Sequence, residues 1–340
     1  MAIETHRKIR IIVIWTGLLV GLSIGARCVA SDRVLVVYSY HQTYEWVQDI
    51  HSSIQAVLGG LDVELKAFYM DTKRHSTVSW KRQAAQNAKA LIRTFEPRVI
   101  IAVDDNAQFY LARSYVDHPS IQVVFCGVNA EPEKYGYPAS NVTGILERTY
   151  PAQTLKVLKT LMPSIRGIAV VTDDSTTAKI MRPRILDRIG KLAPGINLVE
   201  YETPDTFSNW MQVISRLDQD PRVDALLVPL YHTVRRDGDD TSVASKDVMR
   251  WTLAHTGKPV VGLWPSIIEH GALLAVTVDP SEHGLEAARM TKEILSGKSA
   301  AEIPIRTNTD GYVMVNLRDN AHFVFDATVQ VDQIADLVVR

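Results

Sequence analysis

The sequence predicts an α/β protein of two lobes built on parallel sheets, and three observations carry that prediction. Short unbroken apolar runs, such as Val34–Val37, Val99–Val103 and Gly167–Val171, read as strands covered on both faces. Amphipathic stretches of helical period alternate with them, the pattern of parallel sheets joined by right-handed crossovers. At 340 residues the chain exceeds what one core usually serves. Its rhythm starts afresh at Pro151, so the preceding Asn141–Glu147, Asn-Val-Thr-Gly-Ile-Leu-Glu, reads as a hinge.

Taken in order, Val34–Val37 is the first strand, and it runs into the polar, aromatic loop Ser39–Tyr44. Trp46, Ile50, Ile54 and Val57 then form one apolar helical stripe that stops at Gly59-Gly60. Val63–Phe68 alternates as an outer strand before the charged loop Asp71–His75. A helix from about Ser79 to Phe95 places Ala84, Ala88, Leu91 and Phe95 on one face and ends ahead of Pro97. Val99–Val103 is a buried strand, followed by Asp104-Asp105-Asn106 where a helix should begin, and either aspartate also suits a helix cap. Ile121–Cys126 is the fourth strand, with Gly127-Val128-Asn129 as its turn.

Beyond the hinge, Pro151 opens a helix carrying Leu155, Leu158 and Met162. Strands follow at Gly167–Val171, Leu198–Tyr201, Ala225–Val228, Val260–Leu263 and Leu273–Val278, with helices to about Leu192, around Trp210–Leu217 and from Ser281 to Leu295. The charged segment Arg235–Asp240 reads as a solvated loop. The tail from Pro304 holds an apolar segment at Tyr312–Val315 and a last helix.

A formal net charge of −1 gives no reason to expect nucleic acid or an anionic membrane surface as a partner. His6, Arg7, Lys8 and Arg10 precede an apolar run from Ile11 to Ala26, and Cys28-Val29-Ala30 has the small residues of a signal-peptidase site. Cleavage after Ala30 and a periplasmic or otherwise exported location are expected. An uncleaved anchor is the alternative, although the run is short of the ~20 residues a spanning helix needs. Loss of Cys28 leaves Cys126 alone, excluding an internal disulfide, and a buried strand cysteine is commoner than a nucleophile. The ten histidines show no metal-ligand spacing, so neither a metal nor a cofactor is expected.

Ligands of open parallel sheets bind at the carboxyl ends of the strands. Those ends here bring Ser39, Tyr40, His41, Tyr44, Asp104, Asp105, Asn106, Gly127, Asn129, Asp173, Asp174, Tyr231, His232 and Trp264 together, with Glu147 at the hinge. Neither Gly-x-Gly-x-x-Gly nor a phosphate loop occurs, which disfavours phosphorylated cofactors. Aromatic faces suit a ring or a cation, and Asp105 or Glu147 suits an amine, so a small ligand with an amino group is expected. Each ring is equally readable as core packing. Ser39 and His41 lack the Gly-x-Ser-x-Gly context of a hydrolase, and no catalytic residue is assigned.

Several runs resemble one family. Val99-Ile-Ile-Ala-Val, Ile121-Gln-Val-Val-Phe, Asn141-Val-Thr-Gly and Leu161-Met-Pro-Ser-Ile-Arg-Gly-Ile-Ala-Val-Val are similar to ABC transporter substrate-binding proteins of the tryptophan/tyrosine-binding type. So are Val223-Asp-Ala-Leu-Leu-Val-Pro, Lys258-Pro-Val-Val-Gly, His270-Gly-Ala-Leu and Ile294-Leu-Ser-Gly-Lys before Ile303-Pro. The resemblance implies a type I periplasmic-binding fold, two Rossmann-like lobes joined by three crossovers that close over a ligand. It implies lobe 1 at 31–144 plus about 277–303, lobe 2 at 145–276 plus about 304–318, and a C-terminal helix or tail at 319–340. The implied function is monomeric capture of a small solute, an amino acid or amine, for an ABC permease. The Tyr-Ser-Tyr-His and Asp-Thr-Lys-Arg loops also resemble domains fused to sensor kinases and cyclases, which makes a membrane signalling protein the alternative partner.

Overall fold

The computed structural model describes residues 31–192, 194–309 and 311–340. The expected signal peptide, its cleavage after Ala30 and Cys28 lie outside them. No helix among the described residues is long and apolar enough to cross a membrane.

The chain opens with β1 (Asp32–Tyr38), α1 (Glu45–Leu58), β2 (Val63–Tyr69), α2 (Val78–Phe95), β3 (Val99–Val103), α3 (Asp104–Tyr110), β4 (Gln122–Val128) and β5 (Val142–Leu146). A second series follows: α4 (Pro151–Leu161), β6 (Gly167–Val171), α5 (Thr176–Leu192), β7 (Asn197–Glu202), α6 (Phe207–Gln219), β8 (Ala225–Leu227), α7 (Ser245–Ala254), β9 (Val260–Gly262), α8 (Pro265–Glu269) and β10 (Leu274–Thr277). The chain ends with α9 (Pro280–Leu295), β11 (Arg306–Thr307), β12 (Tyr312–Asn316), α10 (Val331–Ile334) and β13 (Leu337–Val339).

Two sheets result. The first has the order β11-β5-β4-β3-β1-β2 and the second β13-β12-β10-β9-β8-β6-β7. Pairing is parallel except where β12 runs antiparallel to β10. Strand alternation sorts side chains onto two faces of each sheet. In the first sheet, Val34, Val36 and Ile101 face α1 and α9, while Leu35, Val37 and Ile100 meet Ala84, Ala88 and Ile92 of α2. In the second, Ile168 and Val170 share a core with Leu155 and Leu158 of α4 and Met181 of α5, and Ala169 and Val171 pack on Trp210 and Ile214 of α6. Contact between α1 and α9 depends on Gly284, where a Cβ would lie 2.5 Å from the carbonyl oxygen of Ile50.

Several expectations need correction. Asn141–Glu147 is not a free hinge, because Val142–Leu146 forms β5 inside the first sheet. Gly144, within that stretch, makes room for Phe125, whose Cγ would sit 2.5 Å from an added Cβ. Arg306–Thr307, assigned to the second lobe, pairs instead with β5. The tail is no simple helix: α10 has four residues, and β13 adds to the second sheet beside β12. Two- and three-residue strands have too few positions to show a period, which is why these edges escape sequence reading.

Candidate functional site

Each sheet has a topological switch point, where neighbouring strands are followed by connections leaving in opposite directions. In the order β5-β4-β3-β1-β2 it falls between β3 and β1, and in β10-β9-β8-β6-β7 between β8 and β6. Tyr40 and Tyr44 follow β1 and Asp104 follows β3. Thr177 follows β6 and Leu230 follows β8. These residues meet in one cavity with Trp46, Lys73, Asn129, Glu147 and Trp264.

The first sheet supplies the charge. Trp46 Nε1 donates to Asp104 Oδ1 at 3.0 Å, and Asp104 Oδ2 is buried with no partner. Glu147 accepts from Asn129 Nδ2 at 2.9 Å and from Trp264 Nε1, across the cleft, at 2.8 Å. Lys73 Nζ lies 4.4 Å from the ring centre of Tyr40 and 5.0 Å from that of Tyr44, so the ring faces already accept a cation. Tyr40 OH reaches Thr177 Oγ1 on the opposite side at 3.2 Å. The free space is about 20 Å³, roughly one water's worth. A larger ligand therefore requires the two sides to part.

Local backbone explains how Asp104 comes to point here. Its φ of 65° is left-handed, a conformation that costs a non-glycine residue about 1 kcal/mol or more. Opposite it, Gly127 has a φ of 67°, and a Cβ there would approach Asp104 Oδ1 to 2.9 Å. Strain at one residue and the absence of a side chain at another thus turn a single carboxylate inward.

Burial dominates the electrostatics. It raises the Asp104 carboxyl well above the usual range, helped by the charge of Glu147 and opposed by Lys73. Burial likewise pushes Glu147 up to about 8, despite the bond from Trp264. Lys73 is lowered by burial, with Asp173, Asp104 and Glu147 drawing it back up. Two acids and one lysine therefore share a small, buried space in which a further cation would restore the ionised carboxylates.

Of the residues expected from sequence, Tyr40, Tyr44, Asp104, Asn129, Glu147 and Trp264 line the cavity. Asp105 does not. Its carboxylate accepts from the amides of Asn129 and Ala130 and from Tyr135 OH at 2.7 Å, which ties the loop after β4 to α3 and leaves no place for an amine. Ser39 is consumed internally, donating to the Val103 carbonyl and accepting from the Ala107 amide. Asp173 accepts from the amides of Ser175 and Thr233, and Asp174 pairs with Lys179. Tyr231 is buried on His270, and Asn106 donates to Thr72. His232 packs edge-on to Tyr44, and His41 lies beside Asp71. Sequence reasoning missed Trp46, taken for a core-stripe residue, and did not single out Lys73 within the charged loop Asp71–His75. The position of Lys73 at a strand end was the available signal. Among the described residues no group of His, Cys, Asp and Glu is arranged to hold a metal.

Comparison with known proteins agrees with this architecture. A tyrosine-binding protein of Clostridioides difficile is 27% identical over 180 residues, 53% of this chain and 48% of that one, so the match spans about half of the relative's length. A domain from Streptococcus pneumonia solved in complex with L-Trp superposes with a TM-score of 0.69 at 16% identity, covering 91% of this chain and 100% of that one. A ligand-free, open substrate binding protein with adhesive properties from Clostridium difficile gives 0.62 at 17% identity, covering 91% and 99%. At such identities the structural likeness establishes the fold, a type I periplasmic-binding architecture. The ABC transporter substrate binding protein model matches residues 47–325, most of the sequence. The chain therefore belongs to that family, whose members are binding proteins and not enzymes.

Proposed function

We propose that this protein is an exported solute receptor that captures a small ligand bearing an amino group, an amino acid or amine, and hands it to an ABC permease. One observation carries the reading: two buried carboxyls, Asp104 and Glu147, are walled by Tyr40, Tyr44, Trp46 and Trp264. Carboxylates neutralise an ammonium and ring faces attract it, while the same rings pack an aromatic or aliphatic side chain. The L-Trp complex and the tyrosine-binding relative support an amino-acid ligand. The proposed lobes are 31–147 with 280–307, and 150–277 with 312–339, which moves the boundaries expected from sequence to the ends of β5 and β11. Isothermal titration of the mature chain with tryptophan, tyrosine, tryptamine and tyramine tests the assignment. Saturable binding of at least one is expected; silence toward all four, with firm binding of an amine-free organic acid, rejects it.

A further inference from the structure

A second chamber, of about 330 Å³, opens beside the cavity. Tyr40, Lys73 and Thr177 line both spaces. Its chemistry is the reverse of the cavity's. Three acids reach it, and each already has a cation: Asp174 pairs with Lys179 at 2.7 Å, and Asp205 and Asp240 pair with Arg235 at 2.6 and 3.5 Å. Lys81 and Lys73 are left with no carboxylate partner among the described residues. Lys81 is 8% exposed and its Nζ donates to Thr176 Oγ1 at 3.2 Å; Lys73 is 5% exposed and lies against the tyrosine faces, with Asp173, Asp104 and Glu147 nearby but none of them paired with it. Burying an ammonium without a directly paired carboxylate is costly, and burial lowers both lysines, against the pull of Asp173, Asp104 and Glu147 on Lys73 and of Asp174 and Asp173 on Lys81.

One further feature adds positive potential. The first turns of α2 and α5, helices of 18 and 17 residues, both open on the chamber, and helix N-termini carry partial positive charge. Asn106, by contrast, keeps a buried Oδ1 without a donor and presents an acceptor to the chamber.

We propose that the chamber takes an oxyanion, of carboxylate or phosphate chemistry, held by Lys81 and Lys73, and that the ligand's own anionic group is its occupant. Only the second half of this assignment rests on the amine reading of the cavity. The ligand is then a zwitterion with its cation between Asp104 and Glu147 and its anion toward Lys81, which separates amino acids from plain amines.

The test is a phosphorus NMR titration of the mature chain with inorganic phosphate at constant ionic strength. Saturable line broadening is expected. Lys81→Met should weaken it about tenfold, the scale of losing one charge-assisted contact, whereas Lys81→Arg should largely preserve it. Tryptophan should displace the phosphate and tryptamine should not. Absence of saturable binding, or a Lys81→Met variant that binds as the parent does and melts at the same temperature, overturns the chamber assignment. Phosphate that binds but is untouched by bound tryptophan overturns the claim that the ligand supplies the anion. If neither tryptophan nor tryptamine binds by calorimetry while phosphate does, the amine reading falls and the chamber stands.

Discussion

The two sides of the cleft contribute unequally. The first sheet and its loops bring Lys73, Asp104, Asn129 and Glu147 with the rings of Tyr40, Tyr44 and Trp46, while the second brings Thr177, Leu230 and Trp264. Every ionisable group lining the cavity stands on one side, and the other offers a hydroxyl, an aliphatic chain and one indole N–H. A ligand that first meets the charged side has most of its polar contacts before the cleft shuts. The second side then excludes water and adds the Trp264 bond to Glu147. This division predicts that substitutions on the first side act on affinity as a whole and those on the second act on release.

The sharpest contrast lies between two neighbours. Asp105→Ala leaves two amides and a tyrosine hydroxyl without their acceptor, and at about 1 kcal/mol or more for each buried group it should destabilise the fold by roughly 3 kcal/mol. Asp104→Asn should instead leave the melting temperature unchanged or raised, because burial already disfavours the charged form. The same substitution should weaken binding of an amino ligand about a hundredfold, the usual scale for removing one partner of a buried charge pair. Denaturant melts and calorimetry on both variants check the pair. Equal behaviour of the two would remove the distinction between a structural and a binding carboxylate.

That distinction was not legible in the sequence. Asp104-Asp105-Asn106 shows that acid gathers where α3 begins, but which side chain faces the cleft depends on a left-handed φ at Asp104 and on the bare Gly127 across from it. Both are long-range facts that no local spacing encodes. The strands of the first sheet were legible because Val34–Val37 and Val99–Val103 are covered on both faces and therefore apolar at every position. β5 was misread because Thr143 and Gly144 interrupt its apolar run, although Thr143 is fully buried and donates to the Ile303 carbonyl. Lys73 was overlooked for the converse reason: lysine is rarely buried, and only the two tyrosine faces and the nearby acids make it tolerable there.

Acidity offers a second way to probe the charged side. Glu147 has a value of about 8 in the fold against an ordinary 4.5, and it is faced by Asp105 and Lys73 as well as by the bonds from Trp264 and Asn129. Because the folded value is the higher one, the ligand-free fold has its full benefit from the neutral carboxyl below pH 4.5 and loses it progressively as pH rises toward 8. An ammonium needs the ionised form, so its binding expels a proton from Glu147. Affinity for an amino ligand should therefore rise with pH between 6 and 8, by up to about tenfold per unit for each proton released. Calorimetry in buffers of different ionisation enthalpy counts the released proton, and Glu147→Gln should flatten the profile. A pH-independent affinity in the parent chain would show that Glu147 is not the counter-charge.

The smallest effect expected is on the far side. Trp264→Phe keeps a ring against the cavity and removes the single N–H that crosses to Glu147. One hydrogen bond to a carboxyl contributes about 1 to 2 kcal/mol, so binding should weaken by roughly fivefold to thirtyfold. If the charged side captures the ligand first, the loss falls on dissociation, because the Trp264 contact forms only as the cleft shuts. Stopped-flow fluorescence separates the two rates. An unchanged association rate with faster release supports capture followed by closure. A slower association rate with unchanged release would mean that Trp264 takes part in the first encounter, and the two sides of the cleft would then act together.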